Sequence, residues 1–388
     1  MCKITKIAVI CEYNLFHRGH LRQIEKIRDE FSGNCVVISI MSGSFVQRGE
    51  PAILPKYERA AAAVMCGADL VAELPYPWSC SSAEYFALAG VSAASRLGCD
   101  YLCFGSESGD ADCLIKTAEN TLSDEFRERL RGLREKTENN GVSDIRLRGR
   151  AYDELFGRSL PVSANDILGV EYLRAITGGG YKIKPLVIKR EGKESATLSR
   201  RLYLAGNMDE LLKTVPEKAW EFYKSHSPNP PDMHGKIMLY KLAELCDSPE
   251  LEKYEGAGGG LGRRISAAAA RAASFDEFTS LCASKSYTNA KIRRTALNCV
   301  LGVTAEDLQK EPGFTFLLAA NSRGREYLHA VKKSGEKFNI ITKPADFDGG
   351  GDSEIQNQVS LARRADSLYF ISSGRAASDI IKYSPYME

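Results

Sequence analysis

Two histidines three residues apart flank a glycine in the stretch EYNLFHRGH, Glu12 to His20. The stretch follows directly on KIAVIC, an apolar run with the length and character of a buried strand. Imidazoles at that spacing can ligate a metal, bind a phosphate or decorate a turn. A zinc centre declares three or four ligands. The remaining histidines, His226, His234 and His329, lie in the other half of the chain, so no metal ligands are assigned. The phosphate reading uses more of the residues. A helix starting near Gly19 presents unpaired N–H groups and partial positive charge toward the strand end. Gly19 has no Cβ to hold a phosphate off the backbone. His17 and His20 are the candidate catalytic pair, able to donate to nonbridging oxygens as charge builds up in an in-line displacement. Such catalysis is positioning plus electrostatic stabilisation. It is the chemistry of adenylyl transfer at an α-phosphate.

Around the imidazole pair the first two hundred residues read as strand and helix in alternation. Apolar runs at 6–11, 35–41, 70–74, 101–104 and 185–188 are short, bounded and mostly free of period-two alternation. That pattern predicts strands covered on both faces. Helical patterns at 20–31, 56–66, 82–97 and 165–176 lie between them. Strands separated by single helices predict a doubly wound parallel sheet, with ligands bound beyond the carboxyl ends at a switch in strand order. Two further strand ends carry suitable residues. FGSE, Phe104 to Glu107, suits a turn that grips an adenine or ribose edge. SATLSRR, Ser195 to Arg201, offers hydroxyls at a helix start with Arg200 one turn on, placed to clasp outer phosphates.

Past residue 204 helical patterns dominate to residue 301, interrupted by SHSPNPPD and EGAGGGLGRR. The remainder reads as a small α/β element with FTFLLAA and FNIIT as strands. The main boundary is set near residue 205, separating 1–205 from 206–388. The charged stretch 124–150 reads as a solvated helix and surface loop, or as part of a phosphate-backbone track. SYTNAKIRRTAL reads as a capped helix carrying Lys291 and Arg294 on one face, either an ordinary soluble helix or a grip on RNA phosphates.

A length of 388 residues implies two or three domains. A net charge of +2 leaves any nucleic-acid partner to a local patch. The eleven cysteines include no CxxC pair and lie mostly in apolar runs, where cysteine acts as a small buried hydrophobe. No run approaches the length of a signal peptide core or a membrane span. A reducing cytoplasm is expected, with no membrane and no obligatory protein partner.

EYNLFHRGHL, MSGSFVQRGEPAILPKYERAAAAVMCGADLVAELP, FGSESGD, SANDILGVEYLRAI and KSYTNAKIRRTALNCVLGV together resemble the bacterial tRNA(Met) cytidine acetate ligase family. The likeness covers most of the chain in the correct order. It implies a HIGH-superfamily, Rossmann-like nucleotidyltransferase domain followed by a mostly helical tRNA-binding region. It implies that ATP, with Mg2+, and acetate give acetyl-adenylate. The acetyl group then passes to N4 of the wobble cytidine of elongator tRNA(Met). By matching motif, the resemblance puts the ATP-binding stretch at Ile10 to Gln23. Its contacts are Ile10, Cys11, Glu12, Tyr13, Asn14, Phe16, His17, Arg18, Gly19, His20 and Leu21, completed by Gly105, Asn165 and Arg190. Arg190 suits a bidentate phosphate or ring-stacking role. Asn165 also suits an N-cap. Gln47 and Arg48 either hold the small carboxylate or anchor a surface turn. Leu15 stands where the family usually has proline, the interval from Arg190 to Ser195 is short, and GGLGRR replaces an EGLENR-like element. A small-molecule adenylyltransferase and a non-catalytic nucleotide-sensing RNA-binding protein are the alternative readings of the same pair of histidines.

Overall fold

All five apolar runs are strands, and each helix expected between them forms. The computed structural model describes residues 4–137, 142, 144–192, 195–229, 231–245, 251–333, 338–343, 345 and 352–388. The first half runs β1 (Thr5–Cys11), α1 (Arg18–Glu30), β2 (Cys35–Ser42), a hairpin of β3 (Phe45–Val46) and β4 (Glu50–Pro51), α2 (Lys56–Met65), β5 (Leu70–Leu74), α3 (Ala83–Arg96) and β6 (Tyr101–Ser106). Then come α4 (Ala111–Leu122), α5 (Asp124–Thr137), α6 (Asp144–Phe156), α7 (Ala164–Gly178), β7 (Lys184–Lys189) and α8 (Ala196–Leu204). The helical part comprises α9 (Met208–Thr214), α10 (Glu217–Lys224), α11 (Pro231–Leu245), α12 (Leu261–Ala269), α13 (Phe275–Cys282), α14 (Asn289–Leu301) and α15 (Ala305–Gln309). The chain closes with β8 (Phe314–Ala320), α16 (Ser322–Lys333), β9 (Asn339–Ile341), α17 (Ser353–Ser372) and β10 (Tyr386–Met387).

The sheet order is β10-β8-β5-β2-β1-β6-β7, with β9 beside β8. From β5 to β7 every pairing is parallel. The chain steps from β1 outward through β2 and β5, then returns to β6 and β7 on the other side. The switch in strand order therefore falls between β1 and β6, and a crevice opens beyond their carboxyl ends. Helix α3 shapes its floor: a Cβ at Gly90 would lie 2.6 Å from the Ile10 Cδ1 of β1, so only glycine lets the helix press this close.

The C-terminal strands join the main sheet. FTFLLAA is buried at every position, which demands cover on both faces and a ladder partner. β5 supplies that partner: β8 runs antiparallel to it, with Leu70 opposite Ala320. The sheet thus crosses the expected boundary near residue 205. Helix α17 reaches back as well, where Tyr369 Oη donates to the Ala52 carbonyl at 2.9 Å.

The charged stretch after residue 124 is two helices where a helix and a loop were expected. Leu147, Ala151 and Tyr152 of α6 pack on Phe126, Leu130 and Leu133 of α5, a small core of its own. Most arginines there are paired, Arg134 with Asp144 at 2.8 Å and Arg148 with Glu171 at 3.1 Å. Residues 138–141 and 143 lie outside the described residues. Nine cysteines are described, all free, and only Cys113 is exposed; Cys2 and Cys246 lie outside the described residues. Burial pushes the Cys103 thiol up to about 12, so it fills space without reacting. Among the described residues no helix is long and apolar enough to cross a membrane.

Candidate functional site

The crevice at the switch point holds the histidine pair. His17 flanks the start of α1, and its Nδ1 accepts from the Gly19 amide at 3.1 Å. His20, one turn on, accepts from the His17 amide through its own Nδ1, also at 3.1 Å. The two rings stack with centroids 3.6 Å apart and planes 18° from parallel. An imidazole nitrogen that accepts from an amide carries no proton, so both neutral rings carry theirs on Nε2. Burial above all, then His17 and Arg190, holds the His20 pKa well below its ordinary value. The helix start is therefore not a bare amide cradle. The amides of His17 and Gly19 are taken by imidazoles, and that of His20 by the His17 carbonyl at 2.9 Å. The Nε2–H of the His20 ring is a donor that can serve a phosphate. The glycine requirement also differs from expectation: a Cβ at Gly19 would sit 2.9 Å from the His17 Cε1, so the missing Cβ makes room for the imidazole.

Around the pair, Ile10, Cys11, Glu12, Tyr13 and Asn14 form one wall of the cavity. Tyr13 takes a left-handed φ of 42°, held by a 3.0 Å hydrogen bond between its hydroxyl and that of Ser39. The Glu12 carboxylate accepts from the Gln47 amide at 2.9 Å, which brings the β3–β4 hairpin to the mouth. Beneath them Arg59, fully buried, donates to the carbonyls of Glu12, Ser42, Gly43 and Leu54. One guanidinium thus ties the ends of β1 and β2 to the loop after the hairpin. The opposite wall is apolar, with Phe86, Phe104, Leu168 and Tyr172. Arg190 crosses closely over Gly105, where a Cβ would lie 3.0 Å from the Arg190 Cγ.

Not every expected contact points inward. Phe16 is buried in the core, its amide donating to Tyr223 Oη at 3.0 Å. The Arg18 guanidinium turns to the Leu212 and Lys213 carbonyls, both at 3.2 Å. Leu21 packs against the core on the far face of α1. None of the three lines the cavity. Arg200 donates to the Asn14 carbonyl at 2.8 Å, bracing the loop. Ser195 makes no side-chain cap, and Lys193 and Glu194 of the short interval lie outside the described residues. Asn165 does line the cavity, but Ser163 flanks the helix start and Asn165 sits in the first turn, donating to Glu107.

Other residues were not singled out beforehand. Asp166 accepts from Ser106 Oγ at 2.5 Å and from the Glu107 and Ser108 amides at 3.1 and 3.2 Å, pinning the FGSE turn. Its carboxyl lies below its ordinary value: burial raises it, and the serine and amide donors outweigh that. Arg22 and Gln23, within the expected stretch of Ile10 to Gln23, also line the cavity, as does Lys26 beyond it. With Gly19 they fall at i, i+3, i+4 and i+7, a helical stripe the sequence displays. Lys26 pairs with Glu191 at 2.9 Å. Arg48 is exposed at the mouth and makes no ion pair among the described residues. Among the described residues no group of three His, Cys, Asp or Glu stands together to hold a metal.

Helix α14 meets the hairpin and not open solvent. Arg294 donates to the Gln47 carbonyl at 3.2 Å, and Arg293 pairs with Glu50. Arg294 is therefore no phosphate grip on an open face, while Lys291 lies over the Tyr287 ring at 5.2 Å. The contact depends on Gly49, with φ of 79°, where a Cβ would lie 2.7 Å from both the Arg293 Cβ and the Arg294 amide nitrogen. Gly49→Val should cost about 2–3 kcal/mol, from overpacking and the left-handed backbone together. Urea unfolding midpoints of the two proteins check it.

A crevice at a switch point, with a helix-borne imidazole pair, a basic rim and an apolar wall, defines a nucleotidyltransferase, and residues 4–380 match the family model described as HIGH Nucleotidyl Transferase. Within that class the chain belongs to the tRNA(Met) cytidine acetate ligase family. It is 33% identical over 355 residues to the tRNA(Met) cytidine acetate ligase of Anoxybacillus flavithermus, covering 84% of this chain and 86% of that one. It is 31% identical over 394 residues to the enzyme of the same name from Acetivibrio thermocellus, covering 94% of each. The crystal structure of Thermotoga maritima TmcAL bound with alpha-thio ATP superposes with a TM-score of 0.89 at 28% identity, covering 99% of both chains.

Proposed function

We propose that this protein is an ATP-dependent acetate ligase that acetylates N4 of the wobble cytidine of elongator tRNA(Met). One observation carries the reading: two stacked imidazoles, each fixed by an amide so that Nε2–H is its donor, at the switch point of a doubly wound sheet. In the first half-reaction an acetate oxygen attacks the α-phosphorus of ATP. A new C(O)–O–P bond forms, the bond to the β-phosphate oxygen breaks, and pyrophosphate leaves. His17 and His20 donate to the α-phosphate oxygens as they gain charge. Lys26, Arg48, Lys189 and Arg190 meet the outgoing phosphates, and Phe104, Leu168 and Tyr172 take the adenosine. Mg2+ bound with the ATP would neutralise phosphate charge. In the second half-reaction the cytidine amine attacks the acetyl carbon. A C–N bond forms, the C–O bond to the phosphate breaks, AMP leaves and one amine proton passes to water. Work in a reducing cytoplasm is consistent with the free, mostly buried thiols.

Radiolabelled acetate, ATP and unmodified tRNA separate this reading from its rivals. Label on RNA that depends on ATP is the expected result. Adenylylation of a small metabolite without label on RNA, or tRNA binding without turnover, would overturn it.

A further inference from the structure

A second cavity, of about 460 Å3, opens on the other side of the loop that carries the histidine pair. Asn14 lines both cavities. Two side chains in the second are buried with polar atoms that have no hydrogen-bond partner among the described residues. Asn229 is 9% exposed and His234 4% exposed. Among the described residues neither Oδ1 nor Nδ2 of Asn229 has a hydrogen-bond partner, nor does Nδ1 of His234. Buried amides are almost always satisfied, so three orphaned atoms in one cavity call for a ligand. The His234 ring is held by Phe45 and Phe275, with centroids at 5.4 and 6.1 Å, and burial alone lowers its pKa to about 4, leaving it neutral. Arg200 and Lys236 stand on the same walls.

The position of Asn229 is fixed from the catalytic side. Its amide donates to the Ile53 carbonyl at 2.7 Å, while the Ile53 amide donates to Asn14 Oδ1 at 2.8 Å. One residue thus holds Asn229 next to the wall between the cavities. On the reading given above, the transfer step needs a base whose amine reaches the adenylate across that wall.

We propose that the second cavity receives the acceptor nucleobase, an unstacked cytosine, through its Watson–Crick edge. The Asn229 carboxamide accepts from the exocyclic amine and donates to N3. His234 Nδ1–H donates to O2, and Phe275 offers an apolar ring face. Arg200 and Lys236 serve the flanking phosphates. Splayed bases read on this edge beside aromatic side chains are how single-stranded RNA is recognised. Held so, the amine lies at Asn229, beside Asn14 and the adenylate site.

The test compares wild type with Asn229→Ala and, separately, His234→Phe, which keeps the ring volume. Acetate-dependent ATP–pyrophosphate exchange should be unchanged, while single-turnover acetyl transfer to tRNA falls about 10- to 100-fold. Wild type should bind tRNA with the acceptor cytidine about tenfold tighter than the same tRNA made abasic there, and Asn229→Ala should lose that preference. Transfer at the wild-type rate in both variants, or an undiminished preference in Asn229→Ala, overturns the assignment. Exchange absent from wild type itself would instead refute the ligase reading, and this site with it.

Discussion

His20→Ala should reduce acetate-dependent ATP–pyrophosphate exchange about 100- to 1,000-fold and leave tRNA affinity nearly unchanged. The magnitude is that of removing one preorganised donor from a charge-developing transition state. His20 also accepts from the His17 amide, so the alanine variant loses a cap worth about 1 kcal/mol. His20→Asn separates the two roles. Its carboxamide can still accept from that amide, but is too short to bring a donor to where Nε2–H lies. The asparagine variant should therefore keep the wild-type melting temperature and still lose exchange. Full exchange in both variants would falsify the catalytic assignment of His20. The pH profile tests the protonation state independently. A protonated ring would turn Nδ1 into a donor facing the His17 N–H, and burial opposes the charge further, with Arg190 adding to it. The neutral donor should persist from pH 8 down through 6.5, the ordinary histidine value. A loss of exchange with a midpoint near 6.5 that disappears in His20→Asn would show that the ring titrates and is not fixed.

The histidine pair was legible because its signal is local: a strand, a break and a capped helix follow one another directly in the chain. Strand positions were legible for a similar reason, since continuous apolar runs such as CVVISIMS have no other use in a parallel sheet. What the sequence hid was the destination of side chains whose partners are distant. Arg18 and Arg22 are neighbours on one helix, yet Arg18 caps the end of α9 and Arg22 lines the cavity. Arg294 reads as a surface cation until α14 is seen packed on a hairpin some 250 residues earlier in the chain, where it holds the Gln47 carbonyl. An aspartate in a first helical turn, such as Asp166, ordinarily serves the helix. Here it serves the turn after β6 instead. Likewise β8 was recognised as a strand, but pairing to β5 across more than two hundred residues leaves no mark in its pattern.

Lys56→Met should destabilise the protein by about 3–5 kcal/mol at pH 8, the cost of leaving buried charge unpaired. The Lys56 ammonium is 2% exposed and bridges Glu73 of β5 and Asp366 of α17, both at 2.7 Å. Ser44 Oγ donates to Asp366 at 2.6 Å, and Thr315 Oγ1 of β8 donates to the Glu73 carbonyl at 2.7 Å. One cation therefore joins the end of β5, the last long helix and the MSGSF turn that follows β2. Gly43 in that turn lies against the Glu73 carboxylate, where a Cβ would overlap it. The pH dependence follows from Glu73. Burial raises its carboxyl from 4.5 to about 7, although Lys56 pulls it down. The folded state thus holds a proton that the unfolded chain has lost, so this group's contribution to stability falls as pH rises between those values. Without Lys56 the carboxyl moves higher still and the fall continues past neutrality. The difference between wild type and Lys56→Met should accordingly widen from pH 5 to pH 8, as read from guanidinium midpoints. A difference that is constant over that range, or that narrows, would mean Glu73 is not the group the lysine serves. Because the triad supports the turn leading to the hairpin of Gln47 and Arg48, lost stability at pH 8 should be accompanied by lost pyrophosphate exchange below the unfolding transition. A purely peripheral ion pair would leave that rate untouched.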